Sequence, residues 1–245
     1  MAYPPALAVC GIVRREPALK IAVVSDLHGN VAAFRAIVSR LDDIQHVLFL
    51  GDVAGYYRFV EPCLLMWDER FVGVLGNHDQ VLLQCLANGT VDPSYEKRYG
   101  SALGRCVRDL SPRSIGILKS LPTQRSFQLD GVGIVMFHGS PSNPLEGRVY
   151  PDHRDWSEFA NRPEDIILLG HTHYAFIRKC GDKLVVNPGS VGQPRDRSGA
   201  ACFAILDVAA REAELMRVPF DASPLIADSR RHNPDLPYLA EVLTR

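Results

Sequence analysis

Seven short apolar runs, KIAVVSD (20–26), HVLFLGD (46–52), FVGVLGNHD (71–79), VGIVMFHGS (132–140), DIILLGHTH (165–173), KLVVNPGS (183–190) and ACFAILD (201–207), each close on a small or polar cluster. Their length and β-branched content suit buried strands rather than helices. Between the first three lie segments with helical spacing: Val31, Phe34, Ile37, Val38 and Leu41, then Val60, Leu64, Leu65 and Trp67. Strand, helix, strand at this rhythm implies parallel strands with helices on their faces, because a parallel connection needs a crossover. Residues 79–122 read as the longest helical stretch, through VLLQCLA, SALGRCVRDL and SIGILKSL. Strands follow closely after it, so the second half is expected to be antiparallel or mixed. An α/β fold accommodates both halves: a four-layer α/β/β/α sandwich of two mixed sheets flanked by helices. One domain is expected over 20–245, ending in a helical tail from Ala222 whose two patterns are separated by Asn233 and Pro234. Residues 1–19, with three prolines and no periodicity, read as an extension before it.

A chain of 245 residues, 47% of them hydrophobic, can bury such a core. Lys and Arg number 27 against 28 Asp and Glu, so no long-range field draws the protein onto nucleic acid or an anionic membrane. The composition leaves open whether the chain is a monomer or a homo-oligomer. Six cysteines are scattered without a C-x-x-C pair, which fits free thiols in a reducing compartment and a metal held by ligands other than sulfur. The apolar stretch Ala6 to Val13 is far too short to span a bilayer and lacks the basic flank of a signal peptide. A cytoplasmic location is the resulting expectation.

The ends of the runs carry the chemistry. Asp26 and His28 follow the first, Asp52 the second and Asn77, His78 and Asp79 the third; His138 ends VGIVMF, and His171 and His173 follow DIILLG. Five of the eight histidines stand there. Taken singly, an Asp after a strand is a turn former or helix N-cap, and a His is a hydrogen-bonded core residue. Five strand ends with N and O donors at one edge of an α/β sheet, where ligands bind, ask for a common cause. Imidazole and carboxylate without thiolate suit Mn, Fe, Zn or Ni. Seven donors exceed one tetrahedral site and match two ions sharing a carboxylate. If the segments are extended, residues i and i+2 point to one side, so His171 and His173, like Asp26 and His28, would both face the crevice.

In order, D26-L-H28-G29-N30, G51-D52, G76-N77-H78-D79, H138-G139 and G170-H171-T172-H173 resemble the five motifs of the calcineurin-like metallophosphoesterases. G51-D52-V53-A54-G55-Y56, H138-G139-S140-P141 and N187-P188-G189-S190 resemble the small, cap-less prokaryotic branch of phosphodiesterases and phosphatases. The likeness runs from about Lys20 to Val218. It implies two divalent transition-metal ions, Mn foremost, with Fe, Ni, Co or Zn as alternatives. One would be held by Asp26, His28, Asp52 and His173, the other by Asp52 as bridge, Asn77, His138 and His171. It implies further that His78 is the catalytic histidine and Asp79 its orienting partner. The reaction implied is hydrolysis of a phosphodiester or phosphomonoester by a metal-bridging hydroxide, with His78 as general acid to the leaving oxygen. Two divalent ions less two carboxylates leave a surplus of about +2, which favours a bound phosphate.

Asn30 could contact a metal-bound phosphate or cap the helix beginning at Val31, and Arg195 could contact substrate or close a loop. Ser190 reads as a turn residue. Val53-Ala54-Gly55-Tyr56 stands where the eukaryotic-type protein phosphatases carry Asp-Arg, which disfavours phosphoserine proteins and leaves small phosphoesters or nucleotides as substrates. The rival from another class is a non-catalytic metal-binding scaffold on the same fold. A nucleotide switch has no support, since the chain contains neither a G-x-G-x-x-G after a strand nor a G-K-[ST].

Overall fold

Three parallel strands, β1 (Lys20–Val24), β2 (His46–Phe49) and β3 (Phe71–Gly73), start the chain in the computed structural model, which describes residues 19–245. The extension expected over 1–19 lies outside the described residues except for Leu19. Helix α1 (Val31–Val38) and helix α2 (Val60–Leu65) connect these strands as the spacing predicts. Strand β9 (Ala200–Asp207) returns antiparallel to β1, and β10 (Glu212–Pro219) antiparallel to β9, giving the sheet order β10-β9-β1-β2-β3.

The second sheet has the order β4-β5-β6-β8-β7. Its centre, β5 (Val132–Phe137), β6 (Ile166–Leu168) and β8 (Lys183–Asn187), is parallel. Both of its edges, β4 (Gln124–Leu129) and β7 (Phe176–Cys180), run antiparallel. Two mixed sheets therefore form the fold, as expected. Three strands escaped the apolar-run reading: β4 (QRSFQL), β7 (FIRKC) and β10 (EAELMRVP). All three are sheet edges, and their outward residues are polar because one face and one ladder meet solvent.

Alternation along the strands builds the layers. Ile21, Val23 and Leu48 point inward against Ile134, Met136, Leu168 and Val186 of the other sheet. Ala22, Val24 and Phe49 point outward onto Phe34 and Ile37 of α1 and Leu64 of α2. Four helices fill residues 77–120: α3 (Asn77–Asn88), α4 (Pro93–Tyr99), α5 (Ala102–Asp109) and α6 (Pro112–Ser120). The outer layer over the second sheet is thin, one short helix, α7 (Ser157–Ala160), seating Phe159 on Val135, Phe137 and Ile167. The C-terminal helices α8 (Ser223–His232) and α9 (Tyr238–Glu241) set Leu225 and Leu239 on Tyr56 and Tyr57. The Tyr57 hydroxyl donates to the Leu239 carbonyl at 3.0 Å, so the tail is fixed to the loop after β2.

Strand register positions the site. Val24 pairs with Phe49 and Phe49 with Gly73, so the loops after β1, β2 and β3 start level with one another. In the other sheet Met136 pairs with Leu168 and Leu168 with Val186, so the loops after β5, β6 and β8 do the same. Asp26, Asp52, Asn77, His138 and His171 follow within four residues of those strand ends.

Candidate metal centre

The seven donors expected from sequence converge on two adjoining clusters. Ligand atoms of Asp26, His28 and His173 lie within 4.8 Å of one another, as do those of Asp52, His138 and His171. Asp52 and His28, with His78, form a third such group, which places the Asp52 carboxylate between the clusters. Asn77 joins the second cluster through its Oδ1, 3.1 Å from His138 Nε2.

Each carboxylate is half committed to the fold. Asp26 Oδ2 accepts from the Ser25 hydroxyl at 2.6 Å and from the His171 N–H at 3.1 Å. Its Oδ1, buried, has no hydrogen-bond partner and faces His173 Nε2 at 3.3 Å and His28 Nε2 at 3.6 Å. Asp52 Oδ1 accepts from the His78 N–H at the N-terminus of α3 at 2.8 Å, where the helix dipole favours an anion. The other oxygen, Oδ2, stands 3.2 Å from His138 Nε2. One oxygen of each pair is thus left for a cation.

The imidazoles are fixed from behind. His28, His138 and His173 place Nδ1 against the carbonyls of Ala54, Leu50 and Gln193 at 2.8, 2.7 and 2.8 Å. A carbonyl only accepts, so each Nδ1 carries a proton and each ring, when neutral, turns a bare Nε2 to the centre. His28 Nε2 and His173 Nε2 are 3.0 Å apart, two lone pairs that repel unless a cation lies against them. In the second cluster His138 Nε2 lies 3.1 Å from His171 Nδ1. Buried nitrogen and oxygen donors with supporting backbone carbonyls are the surroundings of a metal-ligating histidine. Without a metal, protons take its place: burial works against it, yet Asp52 beside His138 raises that imidazole to about 9. Burial, with the charge of His138 beside it, lowers His171 to about 4.

The backbone contradicts one expectation. Asp26, His28, Asp52, His171 and His173 have φ of 54°, 49°, 62°, 66° and 63°, so neither histidine-bearing segment is extended. Left-handed geometry costs a non-glycine residue of order 1–2 kcal/mol, and it sharpens each turn enough to return both side chains to the centre. His171 presents Nδ1 and His173 presents Nε2, each to a different cluster. Hydrogen bonds offset the strain: Asp26 N to Gly51 O, His28 N to Asp52 O, and the Asn187 side-chain amide to the Gly170 carbonyl at 2.8 Å. Gly76 leaves room for Asp52, since a Cβ there would stand 2.1 Å from Asp52 Oδ1.

Two further assignments are corrected. Asp79 does not orient His78; its carboxylate accepts from the N–H groups of Asp52, Ala54 and Gly76 at 2.8, 2.9 and 3.2 Å, tying the β2 loop to α3. Burial, with Asp52 adding to it, raises that carboxyl to about 7. The His78 ring instead meets the Tyr95 hydroxyl through Nδ1. Asn30 does not reach toward substrate. Its Oδ1 accepts from Ala33 N at 3.0 Å as the N-cap of α1 and its amide donates to the Gly192 carbonyl at 2.9 Å. Ser190 is structural, bonding the Asp26 carbonyl and Gln193 N at 2.8 Å each.

Above the clusters a cavity of about 200 Å³ is lined by His78, Arg195, Tyr56, Tyr99, Arg98 and Arg148. Arg195, left open by the sequence between a substrate contact and a loop closure, lines this cavity. Tyr95, Arg98 and Tyr99 were missed because they lie on α4, a helix with no buried residue and hence no apolar stripe to detect. Its available signal is Asp92 before Pro93, an N-cap with proline at the first helical position. Arg148, in the loop after β5, donates to His171 Nε2 at 3.3 Å and carries no sequence signal.

The sequence model of the calcineurin-like phosphoesterase superfamily domain matches residues 19–211. An uncharacterized protein of Methanocaldococcus jannaschii is 29% identical over 221 residues, 82% of this chain and 88% of its own. A probable metallophosphoesterase of Methanothermobacter thermautotrophicus is 28% identical over 116 residues, 46% of this chain and 61% of its own. A metallophosphoesterase from Sphaerobacter thermophilus has a similar structure, with TM-score 0.76 and 25% identity across 93% of this chain and 98% of that one. A hypothetical protein from Pyrococcus horikoshii shares the fold with TM-score 0.73 at 19% identity, across 91% of this chain and 97% of that one.

Proposed function

Because the chain belongs to the calcineurin-like phosphoesterase superfamily, we propose that it is a hydrolase of phosphodiesters or phosphomonoesters that works with two divalent metal ions. The observation that carries the reading is the pair of bare Nε2 atoms of His28 and His173, 3.0 Å apart beside the partnerless Asp26 Oδ1. Packing for its own sake does not leave three buried acceptors facing each other. Asp26, His28, Asp52 and His173 would hold one ion and Asp52, Asn77, His138 and His171 the other. Mn heads the N/O-preferring candidates. Bound there, the ions supply a water nucleophile at neutral pH and charge stabilisation for the phosphoryl oxygens.

The chain's own groups do the rest. Arg98, Arg148 and Arg195 orient the phosphate through guanidinium contacts. His78 donates a proton to the leaving oxygen. Burial lowers its imidazole to about 3 in the free protein, against the pull of Asp52. The negative charge of a bound phosphoester favours the protonated ring. Tyr95, kept a phenol by burial, donates to Nδ1 of the neutral ring or accepts from it once protonated.

Hydrolysis of bis(p-nitrophenyl) phosphate by chelator-stripped protein, with Mn, Ni, Co, Zn and Mg each added back, tests the activity. Recovery with a transition metal is expected; equal rates in chelator would overturn the reading. Tyr95→Phe should slow esters with alkyl leaving groups about five- to tenfold, the value of one neutral hydrogen bond. p-Nitrophenyl esters, whose leaving group needs little protonation, should change less than about twofold. An equal loss on both classes would remove Tyr95 from proton transfer.

A further inference from the structure

A second cavity adjoins the one over the metal centre. This second cavity, about 340 Å³, is lined by Arg195, Arg197 and Arg245 together with Tyr174, Tyr238 and Gln193. Arg195 belongs to both cavities. Two aromatic pairs cross the seam: Tyr150 of the metal cavity meets Tyr174 of the second with ring centroids 5.8 Å apart, and Tyr56 meets Tyr238 at 6.2 Å. Among the described residues, no acidic side chain lines the second cavity. Asp196 beside it is engaged elsewhere, bonded to Arg217 at 2.6 and 2.8 Å. Glu241 stands 3.7 Å from Arg245, a solvent-exposed pair that holds little.

Five arginines thus run along one track, 98 and 148 in the first cavity, 195 at the seam, 197 and 245 beyond it, in a chain whose net charge is −1. A single phosphate at the metal centre does not reach Arg197, or Arg245 beyond its exposed pair with Glu241. Guanidinium groups pair with phosphate oxygens, and tyrosine faces stack on bases. Tyr238 and Arg245 come from the C-terminal tail, beyond residues 19–211 that define the family.

Resting on the phosphoesterase reading of the adjoining centre, we propose that the second cavity holds the remote phosphate and base of a nucleotide with at least two phosphates. The scissile phosphate then lies over the metal donors. Water adds to that phosphorus, the bond to the bridging oxygen breaks, and the leaving nucleotide takes the proton on that oxygen. Arg195 sits between the two phosphates, Arg197 and Arg245 bind the second, and Tyr174 and Tyr238 flank the base.

Isothermal titration calorimetry of the Mn-loaded protein with AMP and with adenylyl imidodiphosphate, which resists hydrolysis, tests this. The polyphosphate should bind at least tenfold more tightly. In the double variant Arg197→Ala, Arg245→Ala, that advantage should fall to less than threefold. Equal affinities in the native protein, or an equal loss for both nucleotides in the variant, would overturn the proposal. Hydrolysis of bis(p-nitrophenyl) phosphate, measured alongside, separates the two readings. Failed hydrolysis with a phosphate-dependent affinity supports the cavity and contradicts the activity; the reverse pattern does the opposite.

Discussion

Asp52→Asn should lower phosphoesterase turnover by at least about 10³-fold while leaving the metal-free fold intact. The substitution keeps the shape of the side chain, and an amide oxygen can still accept the His78 N–H that Asp52 Oδ1 accepts at 2.8 Å. It removes the negative charge that stands between the clusters, within 4.8 Å of both His28 and His138 donors. Two cations about 3.5–4 Å apart need a shared anion to offset their repulsion. Thermal unfolding distinguishes lost metal from lost structure. Metal at about 100 times its Kd should stabilise the native protein by about 2.7 kcal/mol per bound ion, and the variant by clearly less, each measured against its own chelated form. Full metal stabilisation in the variant would deny Asp52 its bridging place.

The second large effect belongs to His78. His78→Ala should retain both ions and lose about 10²- to 10⁴-fold in turnover of esters with alkyl leaving groups. Metal retention is expected because each cluster keeps its full set of donors without this ring, which is engaged by Tyr95 and packs edge-on against Tyr99 at 4.8 Å. What reaches the Asp52 carboxylate is the residue's backbone N–H, which alanine keeps. The loss should shrink as the leaving group becomes more acidic, so a plot of log rate against leaving-group pKa should steepen in the variant. An unchanged slope would place His78 outside proton transfer.

The legible part of the sequence was the part where burial enforces a pattern. Central strands such as IAVV and IIL meet core on both faces and read as continuous apolar runs, whereas the edge strand EAELMRVP hides in its charges. The donors could be read because each follows a parallel strand, and the parallel registers bring those ends together. How they converge could not be read: the left-handed turns at Asp26, His28, Asp52, His171 and His173 depend on bonds such as Asn187 to Gly170, distant in sequence. Tyr95 stayed hidden for a related reason. Its helix has no fully buried residue, so no apolar period marks it. The family resemblance implied Asp79 as the partner of His78, yet in the first turn of α3 its side chain turns to the N–H groups of Asp52 and Ala54.

The central claim is that two clusters hold two ions. Crystals of the protein loaded with Mn or Zn, measured at and below the metal absorption edge, locate each ion directly. Two anomalous peaks per chain are expected, one against Asp26, His28 and His173 and one against Asn77, His138 and His171, with Asp52 touching both. A single peak, or none at saturating metal, would contradict the dinuclear account.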